Sequence, residues 1–422
     1  MNFLNEIIST LLDRTAGTLR RPADEKKSVQ ELCETLLTSR GEVSGMSLAH
    51  LIHERYEAFN DDEKLEFFMS LVEEMDVQLD VALAALKNYR GDPSVDNYEK
   101  LIRYFETGRL QLIRRLNQAH NATAKLVKMR EDLTRFLLRN PELKKLDIDF
   151  KNLFISWFNR GFLVLRPINW SSPAHILEKI ITYESVHEIR SWDDLRRRLQ
   201  PEDRRCFAFF HPVMPDEPLI FVQVALIEGI PKSVQEILSD NRKSIDPAVA
   251  NTAAFYSISN CQVGLSGISF GNSLIKTVVQ HLVRELPQIK TFITLSPIPG
   301  LMKWLEETGN VDKAVTAEQQ IGFAAHYLLK AKNNKGRPLD QVARFHLNNG
   351  AFISDIHANA DISPKGMAQS YGVMVNYCYD LKKISENHEA FANQNKVVSK
   401  KNVASVAEGI TISTPLEKNS FL

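Results

Sequence analysis

Apolar positions along the first 158 residues recur with a helical period. Leu65, Phe68, Met69 and Val72 make one stripe, and Leu101, Phe105, Leu112 and Leu116 a second. Leu126, Met129, Leu133, Phe136 and Leu137 make a third. Gly91-Asp92-Pro93 and Asn140-Pro141 interrupt the pattern as turns do. The opening stretch, MNFLNEIISTLLDRTAG, reads as a first amphipathic helix rather than a signal peptide, because it has no basic start and no small-residue cleavage site. The pattern predicts an all-helical bundle over residues 1–158.

From about residue 159 the spacing changes. Phe162 to Leu165 is β-branched and aromatic enough for a strand, and Ser172-Pro173 marks a helix start. Ser191 followed by Asp194 is a cap signal for a short helix. Cys206 to Phe210 and Leu219 to Leu226 are two apolar runs around a polar turn, the layout of a hairpin. Val342 to Phe345 reads as a short strand delivering His346. After about residue 385 periodicity fades, which predicts a polar, flexible tail over 386–422. The whole is an α+β chain: bundle 1–158, mixed-sheet domain 159–385, tail 386–422.

The middle of the second region carries the most specific signal. Ala254 to Ile258 is a buried strand by pattern, and Gly264, Gly267 and Gly271 follow it. Leu274, Ile275, Val278, Val279, Leu282 and Leu286 then share one helix face, which Pro287 ends. Thr291 to Leu295 is the next strand. Strand, glycine turn, helix, strand is a crossover unit. Such a turn lets backbone approach a ligand closely, and the following helix start can hold a phosphate. The glycine spacing fits neither the dinucleotide fingerprint nor a P-loop. An anion site and a purely structural turn both remain open on these residues alone.

Composition narrows the function. Of 422 residues, 44% are hydrophobic, enough for a sizeable core. Lys plus Arg and Asp plus Glu are 52 each, and the cluster Arg109, Arg114, Arg115 has no interleaved aromatics. Neither feature argues for nucleic acid. Cys33, Cys206, Cys261 and Cys378 are widely spaced, without CxxC, and read as reduced thiols. No apolar run has the length of a membrane span. His211, His281, His326, His346 and His357 show neither HExxH nor Cys/His ligand spacing, so no metal is expected. Ser296 ends an apolar run before Pro297, which biases it toward extended backbone. It lacks a GxSxG elbow, which argues against acyl-enzyme hydrolysis. His346 is of a type that can pass protons. His211, near Glu217, is a second such candidate, although by pattern it simply ends a strand.

Several stretches together resemble the malonyl-CoA decarboxylase family. They are FFHPVMPDEPLIFVQVAL at 209–226, AAFYSISNCQVGLSGISFGNSLIKTVV at 253–279, TLSPIPG at 294–300, ARFHLNNGA at 343–351 and YGVMVNYCYDL at 371–381. The resemblance implies a helical domain followed by an acetyltransferase-like (GNAT) fold. It implies that Ser266, Gly267, Ile268, Ser269, Phe270, Gly271 and Asn272 hold the pantetheine-diphosphate part of a CoA thioester. Ser296 and His346 would be catalytic, with His211, Asn348 and Tyr379 supporting them. The substrate would be malonyl-CoA, the protein would need no cofactor, and the helical domain would join copies into a homo-oligomer. The chain end NSFL departs from the peroxisomal SKL type, which suggests a bacterial-type cytoplasmic enzyme. Two other functions fit parts of the pattern: a CoA-dependent N-acyltransferase, which would need an acceptor amine site, and a non-catalytic CoA-sensing scaffold.

Overall fold

The computed structural model describes residues 24–39, 41–268 and 274–412. The helix expected at the very start therefore lies outside the described residues. Two compact units are distinguished. The first holds the described residues up to Phe162, the segment His211–Glu217 and the stretch from Gln262 to Ile268; the second holds the other described residues.

The first unit contains α1 (Val29–Thr38), α2 (Glu42–Ala58), α3 (Asp61–Glu74), α4 (Leu79–Gly91), α5 (Val95–Phe105), α6 (Gly108–Leu116), α7 (Ala122–Phe136) and α8 (Lys144–Trp157). Local chemistry starts several of them. Ser28 and Glu31 cap α1 reciprocally, and Asn60 and Glu63 do the same for α3. Phe67, Phe68 and Leu71 of α3, Leu126 and Leu133 of α7, and Phe150 and Phe154 of α8 are buried. The stripe expected from Leu101 to Leu116 belongs to two helices. Thr107 accepts from Leu110 N and starts α6, whose Leu112 and Leu116 are buried, whereas α5 buries nothing. The Arg109 guanidinium is also buried and pairs with Asp149 at 2.7 Å, so it is a core ion pair rather than part of a surface patch.

The second unit is built on an eight-stranded sheet. Its elements in order are β1 (Val164–Ile168), α9 (Ala174–Tyr183), α10 (Trp192–Leu199), β2 (Arg204–His211), β3 (Met214–Ile227), α11 (Val234–Leu238), β4 (Thr252–Asn260), α12 (Leu274–Glu285), β5 (Thr291–Thr294) and β6 (Ser296–Pro297). They continue with α13 (Leu301–Glu307), α14 (Ala317–Lys330), α15 (Gln341–Asn348), β7 (Phe352–His357), α16 (Pro364–Ser370), β8 (Met374–Cys378), α17 (Ile384–Gln394) and α18 (Lys401–Glu408). Strand order is β1-β2-β3-β4-β5-β8-β6, with β7 also on β8. β4 and β5 run parallel, joined by the α12 crossover, as the sequence predicts. Ile275, Val278, Val279 and Leu282 of α12 are buried in the larger core.

Two irregularities shape the centre of this sheet. β4 and β5 pair only from Thr252↔Thr291 to Phe255↔Thr294. Leu295 N still donates to Phe255 O at 3.0 Å; beyond it β4 runs on to Asn260 while the other chain leaves to pair with β8. The parallel strands therefore part. At the same level the β3–β4 register shifts, so that Gln223 faces Ser257 and Val224 faces Phe255. This bulge puts Tyr256 and Ser257 on one face, where Tyr256 donates to Gln223 and Ser257 to Glu184, both at 2.8 Å.

The structure corrects two expectations. The run around Val342–Phe345 is helix α15, not a strand, and His346 lies in its last turn. The tail expected to be flexible is helical over α17 and α18, whose Phe391, Val403 and Ala407 are buried in the main core.

Candidate active site

Where β4 and β5 part, a cavity of about 260 Å³ opens within the second unit. Phe255, Ile258, Leu295, Val342 and Phe345 give it apolar walls. Ser257, Asn260, Gln341, Ser296 and His346 supply its polar groups, and among the described residues no Lys or Arg lines it.

Ser296 reaches the cavity because an extended chain alternates its side chains. Thr294 and Ser296 share a face, and the Ser296 hydroxyl donates to Thr294 Oγ1 at 2.9 Å. Thr294 also accepts from Tyr377 N at 3.1 Å, so its oxygen is held from the neighbouring strand. Asn376 donates to Thr294 O at 2.7 Å and fixes the point where β5 ends.

His346 arrives from a different element. Asp340 caps α15 by accepting from Ala343 N at 2.8 Å, and the helix then carries His346 to the cavity wall. His346 Nε2 lies 3.1 Å from Ser296 Oγ, and Nδ1 lies 2.7 Å from the Tyr379 hydroxyl. The imidazole stacks on Tyr377, centroids 4.5 Å apart and planes 20° apart. His346 is 2% exposed and Ser296 5%. Burial with no charged partner pushes the His346 pKa down to about 3, so the ring is neutral near pH 7. The same burial drives the Tyr377 and Tyr379 phenols well above their ordinary value.

Ser296, His346 and Tyr379, named from the sequence, are thus brought together. The other named residues are not. His211 belongs to the first unit, where its Nε2 sits 3.0 Å from Trp157 O and its ring packs on Phe158. Asn348 does not line the cavity; its carbonyl meets His388 Nδ1 at 2.7 Å. Ser266, Gly267 and Ile268 are in the first unit, and Ser269, Phe270, Gly271 and Asn272 lie outside the described residues.

The sequence reading did not single out Thr294, Tyr377 or Asp340. A period-two signal was available for two of them: Thr294 precedes Ser296 by two, and Tyr377 precedes Tyr379 by two. Asp340 Oδ2 and the Tyr377 hydroxyl are buried without a hydrogen-bond partner among the described residues. Among the described residues no group of three or more His, Cys, Asp or Glu could hold a metal ion, and no helix is long and apolar enough to cross a membrane.

Comparison with known proteins places this geometry in a family. The model of the malonyl-CoA decarboxylase C-terminal domain matches residues 161–321 and 314–415, and that of the N-terminal domain matches 77–158. The mitochondrial malonyl-CoA decarboxylase of Anser anser anser is 34% identical over 374 residues, 76% of this chain and 74% of that protein. The crystal structure of malonyl-CoA decarboxylase from Rhodopseudomonas palustris is 46% identical, with a TM-score of 0.86 over 89% of this chain and 98% of that one. That from Agrobacterium vitis is 44% identical, with a TM-score of 0.85 over 90% and 100%. A helical bundle followed by an acetyltransferase-like mixed-sheet domain is the architecture this chain shares with them. A cavity between parting parallel strands, a serine and a histidine facing each other on its wall, and similarity over nearly the whole length lead to one conclusion: the chain belongs to the malonyl-CoA decarboxylase family.

Proposed function

We propose that the protein converts malonyl-CoA to acetyl-CoA and CO2, with Ser296 and His346 as the proton-delivering pair. The observation that carries the reading is the 3.1 Å contact between Ser296 Oγ and His346 Nε2 on the wall of the cavity, in a chain of this family.

The chemistry asks for little beyond placement. When the carbon–carbon bond breaks, its electron pair moves onto the thioester as an enolate, and CO2 leaves. The thioester itself is the electron sink, so neither a metal nor an organic cofactor is required. Among the described residues no Lys or Arg lines the cavity to pin the substrate carboxylate, and Phe255, Ile258, Leu295, Val342 and Phe345 make part of its wall apolar. A carboxylate held there loses hydration, whereas the transition state spreads the charge and suffers less. The enolate carbon then takes a proton. A thioester enolate is a far stronger base than imidazolate, the anion left when neutral imidazole gives up its N–H, so a neutral His346 is an adequate source. The proton passes from Ser296 to C2 while Nε2–H replaces it on Ser296, and the Tyr379 hydroxyl faces the opposite nitrogen. One proton from water restores the site in each turnover.

The arm of the thioester has a ready backbone partner. Among the described residues β4 past Phe255 has no strand on its β5 side, and an extended amide-bearing chain can pair with such an edge. Ser266, Gly267 and Ile268, in the segment that follows β4, are assigned to the pantetheine-diphosphate part of the thioester. The helical domain is assigned to self-association in the cytoplasm. Supporting this, the α4–α5 hairpin exposes Leu79, Leu83, Val95, Ile102 and Phe105.

One experiment tests the activity. Purified protein is given malonyl-CoA without metal, nucleotide or acceptor amine. CO2 and acetyl-CoA should form in equal amounts, and in D2O deuterium should enter the acetyl methyl group. Acetyl transfer to an amine with no CO2 release would replace this reading with an N-acyltransferase. CoA binding with neither reaction would leave a scaffold.

A further inference from the structure

The loop assigned to the pantetheine-diphosphate part of the thioester is fastened from inside the helical bundle. Arg130 of α7 is 1% exposed, and three partners take up its donors. Nε bonds Asp147 of α8 at 3.0 Å, Nη1 donates to Gly264 O at 2.5 Å, and Nη2 donates to Ser266 O at 2.9 Å. Both carbonyls lie more than 130 residues further along the chain. A buried guanidinium is retained only where such partners meet its charge and its donors. The contact is also tight at the backbone. A Cβ on Gly264 would sit 1.9 Å from Val127 O, so no other residue lets the loop lie this close to α7.

This fastening decides where the loop's amides point. In a trans peptide the carbonyl and the following N–H point in opposite directions. With Ser266 O drawn toward Arg130, the Gly267 N–H is turned away from the guanidinium. Gly267 has φ +78°, a conformation glycine takes readily. Among the described residues that N–H has no backbone acceptor, whereas its neighbours Ser266 N and Ile268 N bond Val263 O and Leu265 O. A cation lies alongside. Lys151 Cε is 3.6 Å from where a Gly267 Cβ would be, and its ammonium bonds Asp147 Oδ2 at 2.7 Å. An amide without a backbone acceptor among the described residues, with a lysine side chain beside the same glycine, suits a phosphate.

We propose that Arg130 is a positioning residue for the phosphate end of the thioester: it aims the Gly267 amide, beside Lys151, at the diphosphate. The helical domain then contributes to substrate binding in addition to any role in assembly. The proposal rests on the reading that Ser266–Ile268 hold the pantetheine-diphosphate part.

The test compares wild type with R130K, which keeps the charge facing Asp147 but cannot bond both carbonyls. The readout is the ratio of kcat/KM for malonyl-CoA to that for malonyl-pantetheine, which lacks the diphosphate and nucleotide. Backbone amide exchange over 262–268 is followed in parallel. R130K should lower the ratio at least about tenfold, chiefly through KM, and speed exchange in the loop. K151M should lower the same ratio about fivefold. A purely structural Arg130 would depress both substrates together and leave the ratio unchanged, which overturns the proposal. Loop exchange that accelerates with no change in the ratio also overturns it. If wild type itself does not distinguish the two substrates, the loop reading fails and Arg130's role with it. If wild type releases no CO2, CoA and pantetheine affinities by calorimetry replace the kinetic ratio and decide on Arg130 alone. Should R130K melt below assay temperature, both proteins are compared at a temperature below the variant's melting point.

Discussion

The Tyr379 hydroxyl sits 2.7 Å from Nδ1 of His346, on the side of the ring opposite Ser296. This contact orders the protons of the site. Ser296 donates to Thr294, so its oxygen is free to accept Nε2–H, which leaves Nδ1 to accept from Tyr379. The tautomer follows from the hydrogen-bond network, with the tyrosine fixing the far nitrogen.

Tyr379→Phe removes that donor without changing the ring's volume. Nδ1 is then buried without a partner and both tautomers become accessible. We expect kcat to fall roughly 10- to 100-fold with little change in KM. Steady-state kinetics on malonyl-CoA measure this; an unaltered kcat would remove Tyr379 from the proton path.

His346→Asn and Ser296→Ala each break the pair itself. Turnover should drop by about 10²–10⁴, while the affinity for CoA, measured by calorimetry, stays within about threefold of wild type. Activity close to wild type in either variant contradicts the proposed roles.

Acid should destabilise the fold through its buried histidines. Burial lowers the His346 pKa to about 3 and those of His53 and His187 to about 4, from an ordinary 6.5. In each case the unfolded chain binds the proton more readily. Stability is therefore full above about pH 6.5 and is lost as pH falls through 6.5 toward 3–4. The melting temperature should fall steadily from pH 7 to pH 5, and His53→Gln should shallow that slope. An identical slope in the variant would mean that His53 is not among the groups responsible.

Asp340 runs in the opposite sense. Burial raises its pKa from 3.8 to about 6, so its contribution is full below 3.8 and is lost as pH rises through 6. Asp340→Asn removes the buried charge and keeps a side chain able to cap α15. The variant should be about 1–3 kcal/mol more stable than wild type at pH 8, and the gain should shrink at pH 5. Urea denaturation at the two pH values tests this, and equal stability differences at both would refute it.

The α4–α5 hairpin is the surface through which copies should associate. Tyr89 and Tyr98 hold its helices together, centroids 5.8 Å apart, while Val95 is 72% and Ile102 55% exposed. Changing Ile102 and Phe105 together to Asp should shift light scattering toward monomer and leave the helical circular dichroism intact. A wild-type protein that is already monomeric at micromolar concentration would dispose of the idea.

The sequence by itself determined what depends on neighbours within a few positions. The helical period of residues 29–157, the pairing of the apolar runs Cys206–Phe210 and Leu219–Leu226 and the crossover from β4 through α12 to β5 all follow from local spacing, although β3 begins earlier than its apolar run, at Met214. So does the extended backbone of Ser296 before Pro297. Tertiary structure decided what depends on distant parts. Val342–Phe345 is dense enough in apolar residues to read as a strand, yet capping by Asp340 and packing of Ala343 and Leu347 make it a helix. The last two helices bury only short apolar stripes, Ile384 and Phe391 in one and Val403 and Ala407 in the other, too brief to stand out from a polar tail by local spacing. His346 meets Ser296 across 50 residues and Tyr379 across 33, and Arg130 meets Ser266 across 136. Local patterning carries no information on such separations. They are settled by how the sheet splays, by which helix end reaches the gap, and by the demand of a buried cation for partners wherever the folded chain brings them.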